Sequence, residues 1–235
     1  MFNSVIFDMD GVIIDSHPAH REAWRTFLQS LNRTVSDAEL DFVLDGRKRA
    51  EILRHFLGEL PDEQIQELGN RKDDFFRKAA LQLRVVPGVV EFVSGLRSAG
   101  ISMGLATSAS ESRTRHTLEN LQLLDKFAVI LTGDDVALGK PDPSIYSLAC
   151  KRLNVAPQSA LAIEDAVSGI KAAKGAGVTC IAVAGHQPPH RLRAAGAAQV
   201  VTNFVGFSPA QLELLHVNNS DRVPSPRAPE RDDRS

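Results

Sequence analysis

The stretch Ser4-Val5-Ile6-Phe7-Asp8-Met9-Asp10-Gly11-Val12 decides how the rest of the chain is read. Ser4–Phe7 is short and apolar, without the alternation of a half-exposed strand. A strand of this kind is covered on both faces, as in a parallel sheet. Two aspartates and a glycine follow it at once. Similar runs recur at 101–106, 128–131, 161–163 and Thr179–Val183, with a last short one at Val200-Val201. Helical patterns lie between them, at 89–99 and 166–176. Ser108-Ala109-Ser110-Glu111 reads as a capping box opening another helix, and Asp142-Pro143 as an N-cap with a first-turn proline. Gly175 and Gly177 read as helix-ending glycines. Alternating strands and helices predict an α/β fold with a doubly wound parallel sheet.

One segment breaks the alternation. Between Asp15 and Leu83 the patterns are helical and no strand is evident. Ala19, Ala23, Trp24, Phe27, Leu28 and Leu31 share one helical face. Ser36-Asp37-Ala38-Glu39 is a second capping-box pattern, and Pro61 opens a long helix through Ile65, Leu68, Phe75 and Phe76. The expected organisation is a core domain from residues 1–14 and 84–215, an inserted helical domain at 15–83, and a disordered tail at 216–235 rich in Pro and charge.

Composition narrows the class. Lys and Arg number 27 against 29 Asp and Glu, a balance that excludes a dominant electrostatic grip on nucleic acid. No apolar run approaches the ~18 residues of a membrane span, and no secretory signal pattern is visible at Met1. Cys150 and Cys180 lie in apolar patterns and read as buried thiols of a reducing compartment. The expectation is a soluble, cytoplasmic protein.

Open α/β sheets bind ligands outside the carboxyl ends of their strands. Those ends carry Asp8, Asp10 and Gly11; Thr107 and Ser108; Thr132, Asp134, Asp135 and then Lys140; and Glu164 with Asp165. Singly, each is an ordinary polar loop residue. Together they suit a hard cation and a phosphate. Asp8, Glu164 and Asp165 are oxygen donors that, with a backbone carbonyl and waters, make an octahedral Mg²⁺ site. No His or Cys stands at these positions, which disfavours zinc. An Asp carboxylate is also a nucleophile toward phosphorus, ionised at neutral pH without a base. A lysine and a metal offset its repulsion from the phosphate, and Lys140 is the candidate. Thr107 can hold the same oxygens. Asp10 is placed to protonate a leaving alkoxide, a role that calls for a raised pKa.

These residues resemble the four motifs of the haloacid dehalogenase superfamily: Asp8-Met9-Asp10-Gly11-Val12, Thr107, Lys140-Pro141 and Glu164-Asp165, in order. The resemblance covers about residues 3–205, and the helical insertion is similar to the cap of the beta-phosphoglucomutase-like branch. It implies a Rossmann-like core with an all-helical cap. It further implies Asp8 as nucleophile, Asp10 as general acid/base, and Mg²⁺ held by Asp8, the Asp10 carbonyl, Glu164 and Asp165. Phosphate binding falls to Thr107, Ser108 and Lys140. True dehalogenases lack the second aspartate, which is present here. In the cap, His20 after Ser16 and Pro18, and Arg49 in Gly46-Arg47-Lys48-Arg49, are the expected substrate contacts, with Lys72 a further candidate. Trp24 reads as core, and His55, His116, His186, His190 and His216 as surface.

The expected activity is hydrolysis of a small phosphorylated metabolite, a sugar phosphate above all, by a monomer. A beta-phosphoglucomutase is the rival. Asp45 before Gly46 and Glu111 after the second motif count against it, since acids are unfavourable beside a bisphosphate. A catalytically silent binding protein is the third reading. Gly100-Ile101-Ser102-Met103-Gly104 mimics a hydrolase nucleophile elbow, but its serine opens a strand instead of following one.

Overall fold

The computed structural model describes residues 2–80 and 83–212. The expected tail at 216–235, with His216, lies outside the described residues. Six parallel strands form one sheet in the order β5-β4-β1-β6-β7-β8. They are β1 (Ser4–Phe7), β4 (Ser102–Ala106), β5 (Val129–Leu131), β6 (Ala160–Glu164), β7 (Thr179–Val183) and β8 (Gln199–Val201). Chain order reverses beside β1, the switch point at which doubly wound sheets open a crevice. Phe7 pairs with Leu105 on one side and Ile163 on the other, so the carboxyl ends of β1, β4 and β6 finish level.

The central strand is covered on both faces, as its apolar run predicts. Val5 and Phe7 belong to a core with Phe92, Val93 and Leu96 of α5 (Val89–Ser98). Ile6 faces the other way, into a core with Ile145, Tyr146 and Ala149 of α7 (Ser144–Leu153). Each such side chain contributes roughly 1.5–3 kcal/mol by leaving water. Cys150 and Cys180 are free and buried. The helices α6 (Glu111–Asn120), α8 (Val167–Gly175) and α9 (Pro189–Ala195) complete the layers.

The segment after β1 folds as α1 (His17–Gln29), α2 (Asp37–Leu40), α3 (Arg49–Leu57) and α4 (Asp62–Ala79). It has an apolar core of its own, built on Trp24, Phe27, Leu28, Leu40, Leu53 and Phe56. The Ser36–Glu39 capping box is formed in both directions. The chain leaves and re-enters the sheet through a short antiparallel ribbon, β2 (Ile14–Asp15) against β3 (Arg84–Val85). Two-residue strands show no period, so the ribbon leaves no signature in the sequence.

Two helix starts differ from the sequence reading. Helix α6 is capped at Ser110, without a side-chain bond, and not at Ser108. The Ser108 hydroxyl instead donates to the Gly46 carbonyl at 2.6 Å, across to the helical layer. Helix α7 begins at Ser144, and the Asp142 carboxylate accepts from the Ser144 amide at 2.9 Å.

Candidate active site

Asp8 stands one step beyond β1, its amide donating to Ile163 O at 2.9 Å. Lys140 is 2% exposed and reaches it from below. Its Nζ donates to Asp8 Oδ1 at 2.7 Å, Glu164 Oε1 at 2.5 Å and Ala106 O at 2.9 Å. Tyr146 donates its hydroxyl to the same Glu164 oxygen at 2.7 Å. Burial, with the charges of Glu164 and Asp165, holds the Asp8 carboxyl well above its ordinary pKa, although Lys140 opposes this. Lys140 is raised by Asp8 and Glu164 against the pull of burial, so it stays charged. Thr107 is buried, its hydroxyl accepting from the Ala109 amide at 3.2 Å.

Gly11 is required where it stands. Its φ is +74°, and a Cβ there would lie 2.0 Å from Asp165 Oδ2. Only glycine lets the chain turn there and pass Asp165 so closely. Asp8, Glu164 and Asp165 each present an oxygen within 4.8 Å of the others. Three carboxylates beside one lysine leave a net negative charge that a cation would offset. This oxygen-only set fits Mg²⁺.

Asp10 departs from expectation. Arg113 donates to both of its oxygens, at 3.0 and 2.5 Å. Ser16 donates at 2.6 Å, and His20 Nε2 lies 3.3 Å away. Burial favours the neutral acid, yet Arg113 and His20 outweigh it and set the Asp10 pKa well below the ordinary value. The raised pKa that a general acid calls for is therefore absent in this arrangement.

Asp8, Asp10, Thr107, Ser108 and Asp165 share one cavity with His20 and Arg49 of the helical layer. Lys140 and Glu164 lie behind it, reaching it through Asp8. Lys72 also lines the cavity, 3.4 Å from His20 Nδ1 and over the rings of Trp24 and Phe76. Burial lowers Lys72 to about 8, and burial with the Lys72 charge lowers His20 to about 3. Arg49 is paired with Asp73 at 2.5 Å. Trp24 is core, as read, but also forms cavity wall. Asp134 and Asp135 serve structure: Asp135 accepts from Thr132 and Asp134 from the Glu111 amide.

Three readings need correction. Glu111 does not face the cavity; its side chain is 62% exposed and pairs with Arg115. Asp45 pairs with Arg47 and the Ser168 amide, so neither acid bears on a bound phosphate as expected. His186 is not a surface residue; its side chain is 13% exposed and lies 3.5 Å from Asp165. Sequence reasoning missed Arg113, Tyr146 and Asp73. Arg113 and Tyr146 sit on helices, away from the strand ends, and carry no motif.

A parallel 3-2-1-4-5-6 sheet, a helical insertion after its first strand, and a lysine-bridged carboxylate cluster at its switch point define a class of α/β phosphoryl-transfer enzymes. A sequence model of the haloacid dehalogenase-like hydrolases matches residues 2–177, and the chain belongs to that family. It is 35% identical over 177 residues to a phosphorylated carbohydrates phosphatase of Thermotoga maritima, covering 74% of this chain and 82% of that one. It is 33% identical over 222 residues to the beta-phosphoglucomutase of Bacillus subtilis, covering 91% and 93%. A crystal structure of a beta-phosphoglucomutase from Clostridium difficile superposes with a TM-score of 0.84 at 26% identity, covering 94% of this chain and all of that one. The chain is thus an enzyme of the family's phosphatase and phosphomutase group. Among the described residues no helix is long and apolar enough to cross a membrane.

Proposed function

We propose that this enzyme is an Mg²⁺-dependent phosphatase of a small phosphorylated sugar, with Asp8 as nucleophile. The Lys140 bridge carries the reading. One buried ammonium holds Asp8 and Glu164 together at the switch point, where it would also neutralise a phosphoryl oxygen. Asp8, Glu164, Asp165 and the Asp10 carbonyl would hold Mg²⁺, which when bound screens the carboxylate from the phosphate and stabilises charge on its oxygens.

Asp8 attacks phosphorus while the ester oxygen leaves, and Thr107 and Ser108 hold the transferring oxygens. Asp10, kept ionised by Arg113, is a ready base for the water that attacks the aspartyl-phosphate. Protonating the leaving alkoxide requires Asp10 to take up a proton first, and Arg113 has to slacken its grip as substrate enters. His20, Arg49 and Lys72 position the sugar. The helical unit at 15–83 acts as the cap over the core at 1–14 and 84–215.

The mutase reading has one observation in its favour: four cations, Arg47, Arg49, Lys72 and Arg113, line the cavity, room in charge for a second phosphate. Asp45, Asp73 and Asp10 already pair with the three arginines, which favours the phosphatase. Phosphate release from a panel of phosphorylated sugars, with Mg²⁺ and with chelator, tests the proposal. Release that needs Mg²⁺ and disappears in Asp8→Asn is expected. Conversion of glucose 1-phosphate to glucose 6-phosphate without free phosphate would establish the mutase instead.

A further inference from the structure

His17, at the start of α1, and His186, in the loop after β7, converge on the Oδ2 atom of Asp165. His17 Nε2 is 2.8 Å from that oxygen and His186 Nδ1 is 3.5 Å from it. The two ring centroids are 4.0 Å apart at a tilt of 51°. Yet Asp165 Oδ2 and both nitrogens of His186 are buried without a hydrogen bond of acceptable geometry. Asp165 is 3% exposed. Each buried polar group left unbonded is destabilising, because its desolvation is not repaid. A histidine–carboxylate hydrogen bond would account for His17 alone and leave His186 with neither nitrogen satisfied.

We propose that His17, Asp165 and His186 form a second metal site, for a nitrogen-preferring divalent transition ion of the Zn²⁺ or Co²⁺ kind. Donor atoms of the three residues lie within 4.8 Å of one another. A tetrahedral ion about 2.0–2.2 Å from each donor holds neighbouring donors about 3.4 Å apart, so small side-chain shifts suffice. Two imidazoles and one carboxylate select such an ion, whereas Mg²⁺ prefers the oxygen-only set formed with Asp8 and Glu164. His17 and Asp165 also line the catalytic cavity, and the two histidines have a second approach of their own. His17 and His186 line a cleft of about 470 Å³ with Arg21, Val183 and Gly185, to which Asp8, Asp10, Lys140 and Glu164 do not contribute. Both sites draw on Asp165, so an ion here competes for the charge that the oxygen set needs.

Co²⁺ titrated into the whole protein, with Mg²⁺ in excess and no substrate, reads the site by its visible absorption. One equivalent with imidazole-type bands is expected, displaced by one equivalent of Zn²⁺. Affinity should fall at least about tenfold in His186→Asn and in His17→Gln, because a lost ligand costs no less than a lost outer-sphere partner. It should persist in Asp8→Asn. Absence of bands in the wild type would overturn the site, as would wild-type affinity in both histidine variants or bands lost only in Asp8→Asn. If His17→Gln fails to give the wild-type circular dichroism, His186→Asn carries the test. The readout contains no phosphate ester, so failure of the phosphatase assignment would not be mistaken for failure here.

Discussion

Arg113 and Asp10 form a two-pronged pair with side chains 11% and 21% exposed, so removing one partner strands the other. Arg113→Met is expected to lower stability by about 3 kcal/mol at pH 7, the range for breaking a buried pair. Asp10→Asn in the same background should recover part of that loss. The sign with pH follows from the lowered Asp10 pKa. The pair's contribution is complete above the ordinary carboxyl value near 3.8 and is lost as pH falls through the folded value. Wild type and variant should therefore converge only below about pH 3.8, in denaturant titrations carried from pH 7 to pH 2. Lys72 runs the other way. Burial lowers it from 10.5 to about 8, so the unfolded chain binds the extra proton between those values and stability rises with pH there. At pH 7 the buried charge costs on the order of 3 kcal/mol. Lys72→Met should raise Tm at pH 7, with a gain that shrinks toward pH 10, while raising KM for a sugar phosphate. A Tm gain of the same size at pH 10 would mean that apolar packing, not charge, is responsible. At this scale the residues at strand ends were legible because the sheet dictates where ligands bind. Arg113, Tyr146 and His186 were not, because helix packing and loop geometry bring them in from positions with no periodic or motif signal.

Helix α4 carries Gly69 where it crosses α3. A Cβ at Gly69 would lie 2.3 Å from Arg49 Nε, so the glycine is the space in which the Arg49 side chain runs toward Asp73. Gly69→Ala is expected to raise helix propensity by about 1 kcal/mol. It should also push the flexible guanidinium off Asp73. If Arg49 positions the sugar, KM should rise several-fold with kcat changed little and Tm unchanged or higher. An unchanged KM would remove Arg49 from the substrate contacts. The glycine had no reading of its own in the sequence, since nothing there shows which side chain from another helix will cross it. Most sheet strands were legible to within a residue or so because double-sided burial leaves an unmistakable apolar run. The β2–β3 ribbon was not, and the α6 start was displaced because Ser108 and Ser110 both offer a capping hydroxyl. Tertiary contact with Gly46 settled the choice between them.

The helical layer and the sheet each have their own apolar core, and much of what joins them near the site is polar. Lys48 Nζ donates to Val136 O at 2.8 Å, and Ser168 donates its hydroxyl to Asp45 O. Polar junctions of this kind reopen at little cost. Opening is required by size. The cavity over Asp8 measures about 70 Å³. A water needs ~10–15 Å³ on that measure, so the closed space holds roughly five waters. A phosphorylated hexose, the substrate proposed above, is larger than that, so the proposed cap would have to swing away for it to enter and close again around a wider space before the proposed attack by Asp8. Neither Ser168 nor Lys48 lines the cavity, so both can be altered without touching substrate. Each hydrogen bond contributes about 1 kcal/mol net. Ser168→Ala with Lys48→Met should therefore shift the closed–open balance by about 2 kcal/mol, lowering kcat/KM by up to roughly 30-fold. The radius of gyration from solution scattering should increase in the free enzyme and return toward the wild-type value with a phosphate analogue bound. Unchanged scattering with unchanged kcat/KM would mean that substrate, and not these two latches, holds the cap shut.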